Sequence, residues 1–352
     1  MKKIYYIAVV FAILFLAGCG DGIDLPGVNV ETDLNKIPLP DNNVNLEQVE
    51  LKPSTEPMLH EGLHTEEDFQ RIRDKKAAGE EPWVSAYQLL VESQFSQKTA
   101  DTYPTEWIKR GVSGDENYMN AARGATIAYQ QALRWKIEQD DEYAAKAVEN
   151  LNKWVQTCVG VTGNTNLSLA AGLYGYEFAI AGELLRDYEG WDRADFAAFQ
   201  NWLLKVFYPA NDDFLKRHHD TNALHYWANW CLCNIAAKMA IGIVTDRRDI
   251  YNEGIGHLQT GDTNGRLRRA IYHDYAPDYN FAQWQESGRD QGHTLMCVGL
   301  MGVICQLAWS QGDDFFAYDD NLFMRACEYA ACCNYTNETV PYTTYTVSYT
   351  HL

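Results

Sequence analysis

The sequence predicts an all-α protein, an (α/α) toroid of helical hairpins that follows a lipoprotein signal and an extended tether. Apolar residues recur at helical spacing through most of the chain after residue 58, and strand-like alternation is scarce. The helical segments come in pairs, one long and rich in small apolar residues, the other amphipathic. Such hairpins bury their apolar faces by stacking or by closing on one another. The sequence shows no fixed repeat period of the kind that is typical of open solenoids.

The start of the chain predicts export and attachment to a membrane surface. "MKKIYYIAVVFAILFLAGCG" has a basic beginning and a short apolar run, which is typical of a signal peptide over residues 1–18. "LAGC" looks like the bacterial lipobox and implies a lipid on the Cys19 thiol, in the periplasm or on the outer cell surface. The alternative is an ordinary signal peptide with a chance cysteine.

The remaining boundaries follow from composition. Residues 19–57 are rich in Pro, Asn and Asp without periodicity, which predicts a flexible tether. We expect the catalytic body over residues 58–346, without a segment that spans a membrane. The ending "VSYTHL" (347–352) matches codons that resemble a transposon end used in sequencing libraries. It is therefore expected to be a non-native tail on a truncated body.

The composition of the chain limits the classes of partner that the protein is expected to bind. The formal net charge is −19, or −21 once the two positive charges of Lys2 and Lys3 leave with the signal, so we expect no nucleic acid partner. The chain has 22 Tyr and 10 Trp, residues common in carbohydrate-binding clefts, but most of them are expected to be core residues of a helical protein. Apart from Cys19, the cysteines lie mostly in apolar helical runs and are expected to be buried free thiols. No cofactor fingerprint is present.

The helical elements can be assigned in order. "TEEDFQRIRDKKAAG" begins with a Thr65 cap and predicts an amphipathic helix. The predicted hairpins then pair residues 116–139 with 141–158, 166–188 with 192–208, 222–244 with 247–261, and 283–309 with 320–333.

Polar residues are concentrated where two of these inner helices are expected to begin. In "QWQESGRDQGHT", Glu286, Arg289 and His293 would share one face of a helix that starts at Gln283. In "TNALHYWANW", Asn222 suits either a helix N-cap or a donor in a site, with His225 on the same face.

These two segments resemble the alginate-lyase-like α/α-toroid polysaccharide lyases, with polysaccharide lyase family 38 as the best match. Those enzymes carry an Asn- and His-bearing helix start followed by Trp, and later a Glu-x-x-Arg segment that ends in His. The resemblance covers roughly residues 58–334. It implies β-elimination on a uronic-acid polymer, alginate (polymannuronate) or glucuronan, to give unsaturated oligosaccharides. The chain departs from the family where His225 is separated from Asn222 and where Thr294 replaces a tyrosine.

The reaction requires a group that neutralises the uronate carboxylate, a base for the C5 proton and an acid for the C4 oxygen. The resemblance implies that Arg289 holds the carboxylate, Asn222 donates an amide hydrogen bond and His225 serves as base. The phenol is expected from the loop "YHDYAPDYNFAQW", where Tyr279 lies nearest to the motif and Tyr272 and Tyr275 are alternatives. The expected substrate-binding residues are His293, Glu286, Trp227, Lys216 and Arg217.

Other readings stay open. "HEGLH" (His60 to His64) matches the His-Glu-x-x-His zinc pattern, but Gly62 and its position ahead of Thr65 disfavour a helix, so no metal is expected. A glycoside hydrolase would need two carboxylates across a cleft. A non-catalytic glycan-binding surface lipoprotein would share the lipobox, the tether and the aromatic residues.

Overall fold

The computed structural model describes residues 54–335 and 340–345. The signal peptide, the lipidation of Cys19, most of the tether and the tail at 347–352 lie outside the described residues. Those features, and the membrane location that depends on them, stay predictions of the sequence.

The described part of the chain is mostly helical, in agreement with the predicted all-α toroid. Its helices are α1 (Glu66–Ala77), α2 (Trp83–Glu92), α3 (Tyr118–Glu138), α4 (Asp141–Thr157), α5 (Leu167–Leu184), α6 (Arg193–Val206), α7 (Tyr208–Arg217), α8 (Ala228–Val244), α9 (Arg248–Thr260), α10 (Leu267–Ala270), α11 (Gln291–Ser310) and α12 (Tyr318–Tyr335). Its short strands are β1 (Trp107–Arg110), β2 (Gly160–Gly163), β3 (Ile271–Asp274) and β4 (Ala282–Trp284).

Side-chain caps begin several of these helices, including the Thr65 cap that the sequence predicts. Thr65 and Asp68 form a reciprocal capping box at the start of α1. Asp140, Asp192 and Asp290 each accept a backbone hydrogen bond at the starts of α4, α6 and α11. These carboxylates satisfy amide groups that the first turn of a helix leaves unpaired.

The helices α3, α5, α8 and α11 form the inner layer, and each packs against the next one in this series. Every residue of α8 is buried, as is nearly every residue of α5, which explains why both read as apolar on all sides. Gly172 lets these two helices approach closely, because a Cβ at this position would lie 2.5 Å from the Cys233 sulfur. The outer layer connects successive inner helices and consists of the amphipathic helices α4, α6, α7, α9 and α12.

The inner helices begin at one common face, called here the N-terminal face. Strands β1 and β2 pair in parallel and lead into α3 and α5, so these two helices start side by side. Ser168 at the start of α5 contacts His219, which precedes α8. The backbone N–H of Ala228 at the start of α8 donates to Gln285, which precedes α11. The segments before all these helices therefore converge.

The opposite, C-terminal face is covered by residues 54–64. Leu59 exchanges hydrogen bonds with Gln311 at the end of α11, and His60 contacts Asp246 just after α8. Residues 54–57, the end of the predicted tether, also contact this face, because Arg248 donates to the carbonyls of Glu56 and Pro57. The tether prediction can therefore apply only to the residues before Ser54.

Two predicted helix starts are wrong. The helix expected from Gln283 begins at Gln291, because residues 282–284 pair with β3 as a strand and residues 285–288 form a 3₁₀ turn. The helix expected from Asn222 begins at Ala228. Glu286, Arg289 and His293 consequently do not share a helical face. In both places hydrogen bonds to distant parts of the chain prevail over local helical periodicity.

Helix α11 also corrects one expectation about membranes. Among the described helices, it alone is long and apolar enough to cross a bilayer by length and composition. More than half of its apolar window is buried, and it packs against α8 as an inner helix of the toroid. Its hydropathy is accounted for by its place in the core.

Candidate active site

Arg289 lies on the N-terminal face and contacts residues from two of its segments. Its Nη1 donates to Glu286 Oε2 at 3.1 Å, and its guanidinium lies 5.3 Å from the centre of the Trp227 ring. Trp227 is the residue directly before α8, so this contact joins the starts of α8 and α11. The Arg289 side chain stays 31% exposed, which leaves donors for a ligand.

Glu286 is fully buried and fixes this arrangement. One of its oxygens accepts from the Asn229 backbone N–H at 2.9 Å and from the Cys297 thiol at 3.2 Å. The other accepts from the Asn229 side chain and from Arg289. Burial raises the pKa of the Glu286 carboxyl, and the Asn229 N–H, the Cys297 thiol and Arg289 oppose that effect. Glu286 therefore orients Arg289 and is shielded from a ligand.

His293 is held by the residue that caps its own helix. Asp290 accepts from the His293 backbone N–H at 2.8 Å, and its other oxygen lies 2.7 Å from His293 Nδ1. Burial raises the pKa of Asp290, but hydrogen bonds from His293 outweigh it, so the net pKa is lowered. The ionised carboxylate fixes the imidazole at the face, with its side chain 37% exposed.

Asn222 and His225 lie in an irregular segment ahead of α8. The Asn222 side-chain oxygen accepts from the Leu224 backbone N–H at 2.8 Å, so the residue closes a local turn. It is therefore not the cap of α8, whose start follows Trp227. His225 is half-buried, with its ring 4.9 Å from that of Tyr226. The segment containing both residues ends at Trp227, directly before α8 on the N-terminal face.

A family model described as alginate lyase matches residues 72–338, which is more than half of the chain. The chain belongs to the alginate lyase family. This membership makes it a polysaccharide lyase, as the two motif segments led us to expect. No curated protein sequence matches it.

Solved structures of alginate lyases share the fold. One from Bacteroides ovatus matches with a TM-score of 0.56 at 15% identity, over 76% of this chain and 81% of the other. Alginate lyase A1-III from Sphingomonas species A1 matches with a TM-score of 0.53 at 13% identity, over 79% and 80%. A tyrosine-to-phenylalanine variant of A1-III complexed with a tetrasaccharide matches with a TM-score of 0.56 at 15% identity, over 76% and 77%. At this identity the likeness establishes the toroid alone.

The structure adds Tyr345 to the face, a residue that the sequence did not indicate. Its hydroxyl accepts from Gln285 Nε2 at 2.6 Å, and its ring lies 5.9 Å from Trp227 and 4.9 Å from Tyr272. Burial raises its pKa, and Arg269 opposes this effect. Tyr345 is 60 residues from Gln285 along the chain, so no local motif could have revealed the contact.

His219 is a second residue on this face that the sequence did not indicate as part of a site. Its Nε2 lies 3.0 Å from Ser168 Oγ, and its backbone has a φ of 52°, a conformation that non-glycine residues seldom adopt. The unusual backbone directs the imidazole toward the start of α5. Burial lowers the pKa of His219, and Asp213 opposes this effect. Left-handed backbone often marks functional segments, but the sequence "KRHHD" gives no sign of it.

The remaining predicted residues lie further from this group. Tyr279 lies between β3 and β4, 52% exposed, with its ring 6.5 Å from Tyr275. Lys216 and Arg217 are exposed on α7 and form ion pairs with Asp212 and Asp213 of the same helix. In the described residues, no contact joins these three side chains to Arg289, and their roles stay predictions.

The two histidines of "HEGLH" contact different residues and do not lie on a helix. His60 Nε2 contacts Asp246 at 3.0 Å, whereas His64 Nε2 contacts the Tyr129 hydroxyl at 2.6 Å. The pattern therefore does not form a helical zinc motif. Within residues 54–335 and 340–345, no group of three or more His, Cys, Asp or Glu side chains is arranged to hold a metal ion.

Proposed function

We propose that this polysaccharide lyase cleaves mannuronate-rich alginate by β-elimination on the N-terminal face of the toroid. A base removes the C5 proton, the C4–O bond breaks, a C4–C5 double bond forms, and the leaving oxygen is protonated. Glucuronan is the second candidate substrate. Assignment to polysaccharide lyase family 38 stays a prediction of the sequence.

The placement of Arg289 carries the proposal. A carboxylate beside C5 disfavours loss of the C5 proton, because the resulting carbanion would add negative charge next to an existing one. Arg289 can neutralise that carboxylate, since the ring of Trp227 and the buried Glu286 hold its guanidinium while part of it faces solvent. The group is oriented before substrate arrives, so little ordering is needed at the moment of reaction.

Asn222 and His225 supply the neighbouring functions in this proposal. The oxygen of Asn222 is engaged by Leu224, and its amide NH₂ donates to no described residue, so it can donate to the same carboxylate. His225 serves as base or assists the phenol, and His293, held by Asp290, contacts the sugar at Arg289.

The geometry disfavours a glycoside hydrolase. Hydrolysis needs two carboxyl groups on opposite sides of the scissile bond. Glu286 is completely buried and accepts hydrogen bonds on both oxygens, while Asp290 caps α11 and holds His293. Neither of these acidic residues is positioned to donate a proton across a cleft to a leaving oxygen.

The test is direct. The protein is incubated with polymannuronate, polyguluronate and glucuronan, and the ultraviolet absorbance of unsaturated ends is recorded together with new reducing ends. We expect both signals to rise together, fastest with polymannuronate. Reducing ends without the absorbance would contradict elimination, and binding without new ends would indicate a glycan receptor.

Tyr279 is the proposed phenol that protonates C4 oxygen, and Tyr279→Phe tests it. Removal of the hydroxyl should lower kcat by at least about 100-fold, the usual scale of a lost acid–base group, while the Kd for polymannuronate stays near that of the wild type. Tyr275→Phe, in the same loop, tests the alternative phenol and is measured alongside. An unchanged kcat for Tyr279→Phe would remove this residue from the mechanism.

A further inference from the structure

Arg110 is a second arginine on the N-terminal face, on the far side of the inner layer from Arg289. It is the last residue of β1, and its guanidinium lies 4.7 Å from the centre of the ring of Tyr118, the first residue of α3. Asn164, near the start of α5, packs against the adjoining Gly111, where a Cβ would lie 1.9 Å from the Asn164 oxygen. Arg110 thus lies between the starts of α3 and α5.

Its side chain is half-buried. Burial raises the pKa of the Cys233 thiol on α8, and the positive charge of Arg110 is among the groups that lower it. Cys233 lies in the second turn of α8 and packs against Gly172 of α5. The guanidinium is therefore within electrostatic reach of the inner helices.

Part of the Arg110 guanidinium has no hydrogen-bond partner among the described residues. Its Nη1 is buried and donates to no described residue. Of the acidic residues near Arg110 along the chain, Glu106 is exposed and forms no ion pair with it, Asp115 binds Lys109, and Glu116 accepts from the Gly111 backbone N–H. By contrast, buried Arg186 donates to two carboxylates and to backbone carbonyls.

A buried guanidinium nitrogen without an acceptor is unfavourable, because the group has lost water and gained nothing in exchange. A ligand that supplies a hydrogen-bond acceptor to this nitrogen would offset the unfavourable free energy of its burial. A fork of N–H donors fits a carboxylate, and the chain's net charge of −19 makes an unpaired cation unusual. A polyuronate carries one carboxylate on every sugar, so a substrate held at Arg289 presents further carboxylates along its length.

We propose that Arg110 binds a second uronate carboxylate of the same polymer, several sugars from the one at Arg289, across the starts of α5 and α8. This inference rests on the proposed function. It assigns to the α3 side of the face a subsite that selects longer, uniformly charged chains.

The test compares chain lengths. KM and kcat are measured for mannuronate oligosaccharides from three to eight sugars and for the polymer, with wild type, Arg110→Ala and Arg110→Lys. We expect Arg110→Ala to raise KM about tenfold for the longest chains, with kcat nearly unchanged and the trisaccharide unaffected. Arg110→Lys should fall between, since an ammonium keeps the charge but loses the fork. Arg247→Ala, an exposed charge removed at the C-terminal face, is the control.

Calorimetric titration with polymannuronate separates this inference from the proposed function, because it measures Kd without turnover. A wild type that binds the polymer yet forms no unsaturated ends would refute the lyase mechanism and leave the Kd comparison intact. Equal Kd and KM in wild type and both variants, or an equal loss at every chain length, would overturn the Arg110 subsite. If the alanine variant does not fold, Arg110→Lys against wild type decides.

Discussion

The two faces of the toroid differ in how their arginine side chains are paired. At the C-terminal face, buried Arg186 donates to the carbonyls of Ile243 and Val244 at the end of α8, and it forms ion pairs with Glu183 and Asp246. Residues 54–64 cover this face. At the N-terminal face, Arg289 is held from one side and remains partly exposed, and Arg110 has no acceptor among the described residues.

The difference follows from the direction of the helices. Helix C-termini expose carbonyl oxygens, which attract cations, so protein arginines complete that face. Helix N-termini expose amide N–H groups, which attract anions. Asp290 and Glu286 satisfy some of these groups at α11 and α8, and an anionic polymer suits the remaining positive potential. One face is thus completed by the protein and the other is suited to a ligand.

The largest effect should come from Arg289→Ala on the N-terminal face. Loss of the group that we propose to neutralise the uronate carboxylate should lower kcat/KM for polymannuronate by about 100- to 1,000-fold, the usual effect of removing one preorganised electrostatic donor. Steady-state absorbance assays measure it. Arg289→Lys should retain part of the activity. Activity equal to that of the wild type would show that the face does not depend on this charge.

At the C-terminal face, Arg186→Ala should affect stability instead of catalysis. It leaves the buried Glu183 carboxylate and the carbonyls at the end of α8 without their donor, which should lower the free energy of unfolding by about 3 kcal/mol. Urea unfolding gives the value, and kcat measured well below the melting temperature should stay constant. A loss of kcat in a folded variant would show that the two faces are not separate in function.

The smallest effect concerns the segment that covers the C-terminal face. Burial lowers the pKa of His64 to about 4 from 6.5, so between these values the unfolded chain binds a proton that the native protein does not. The free energy of unfolding should therefore fall as pH drops from 7.5 to 5. In His64→Gln, which can still hydrogen-bond Tyr129, that fall should be smaller by roughly 1–2 kcal/mol. Parallel pH profiles in urea unfolding would exclude His64 as a contributor.

Much of the fold could be predicted because helical periodicity is local. The Thr65 cap, the hairpin of α3 and α4 and the apolar character of α5 and α8 can all be read from short windows of sequence. The predicted helix starts were wrong where residues form hydrogen bonds with partners far away along the chain. Glu286 and Asn229 are 57 residues apart, and their contact requires an irregular entry to both α8 and α11 in place of the predicted continuous helices.

The sequence by itself determined the helical hairpins and the alginate lyase family, and it indicated Arg289, Glu286 and His293 as candidate site residues, because those signals lie in local patterns and short motifs. Only the tertiary structure decided that Glu286 is buried beneath Arg289, that Trp227 supports the guanidinium, and that Tyr345, His219 and Arg110 lie on the same face. Those facts depend on how the inner helices close around one another, and contacts between residues far apart along the chain leave no periodic trace in it.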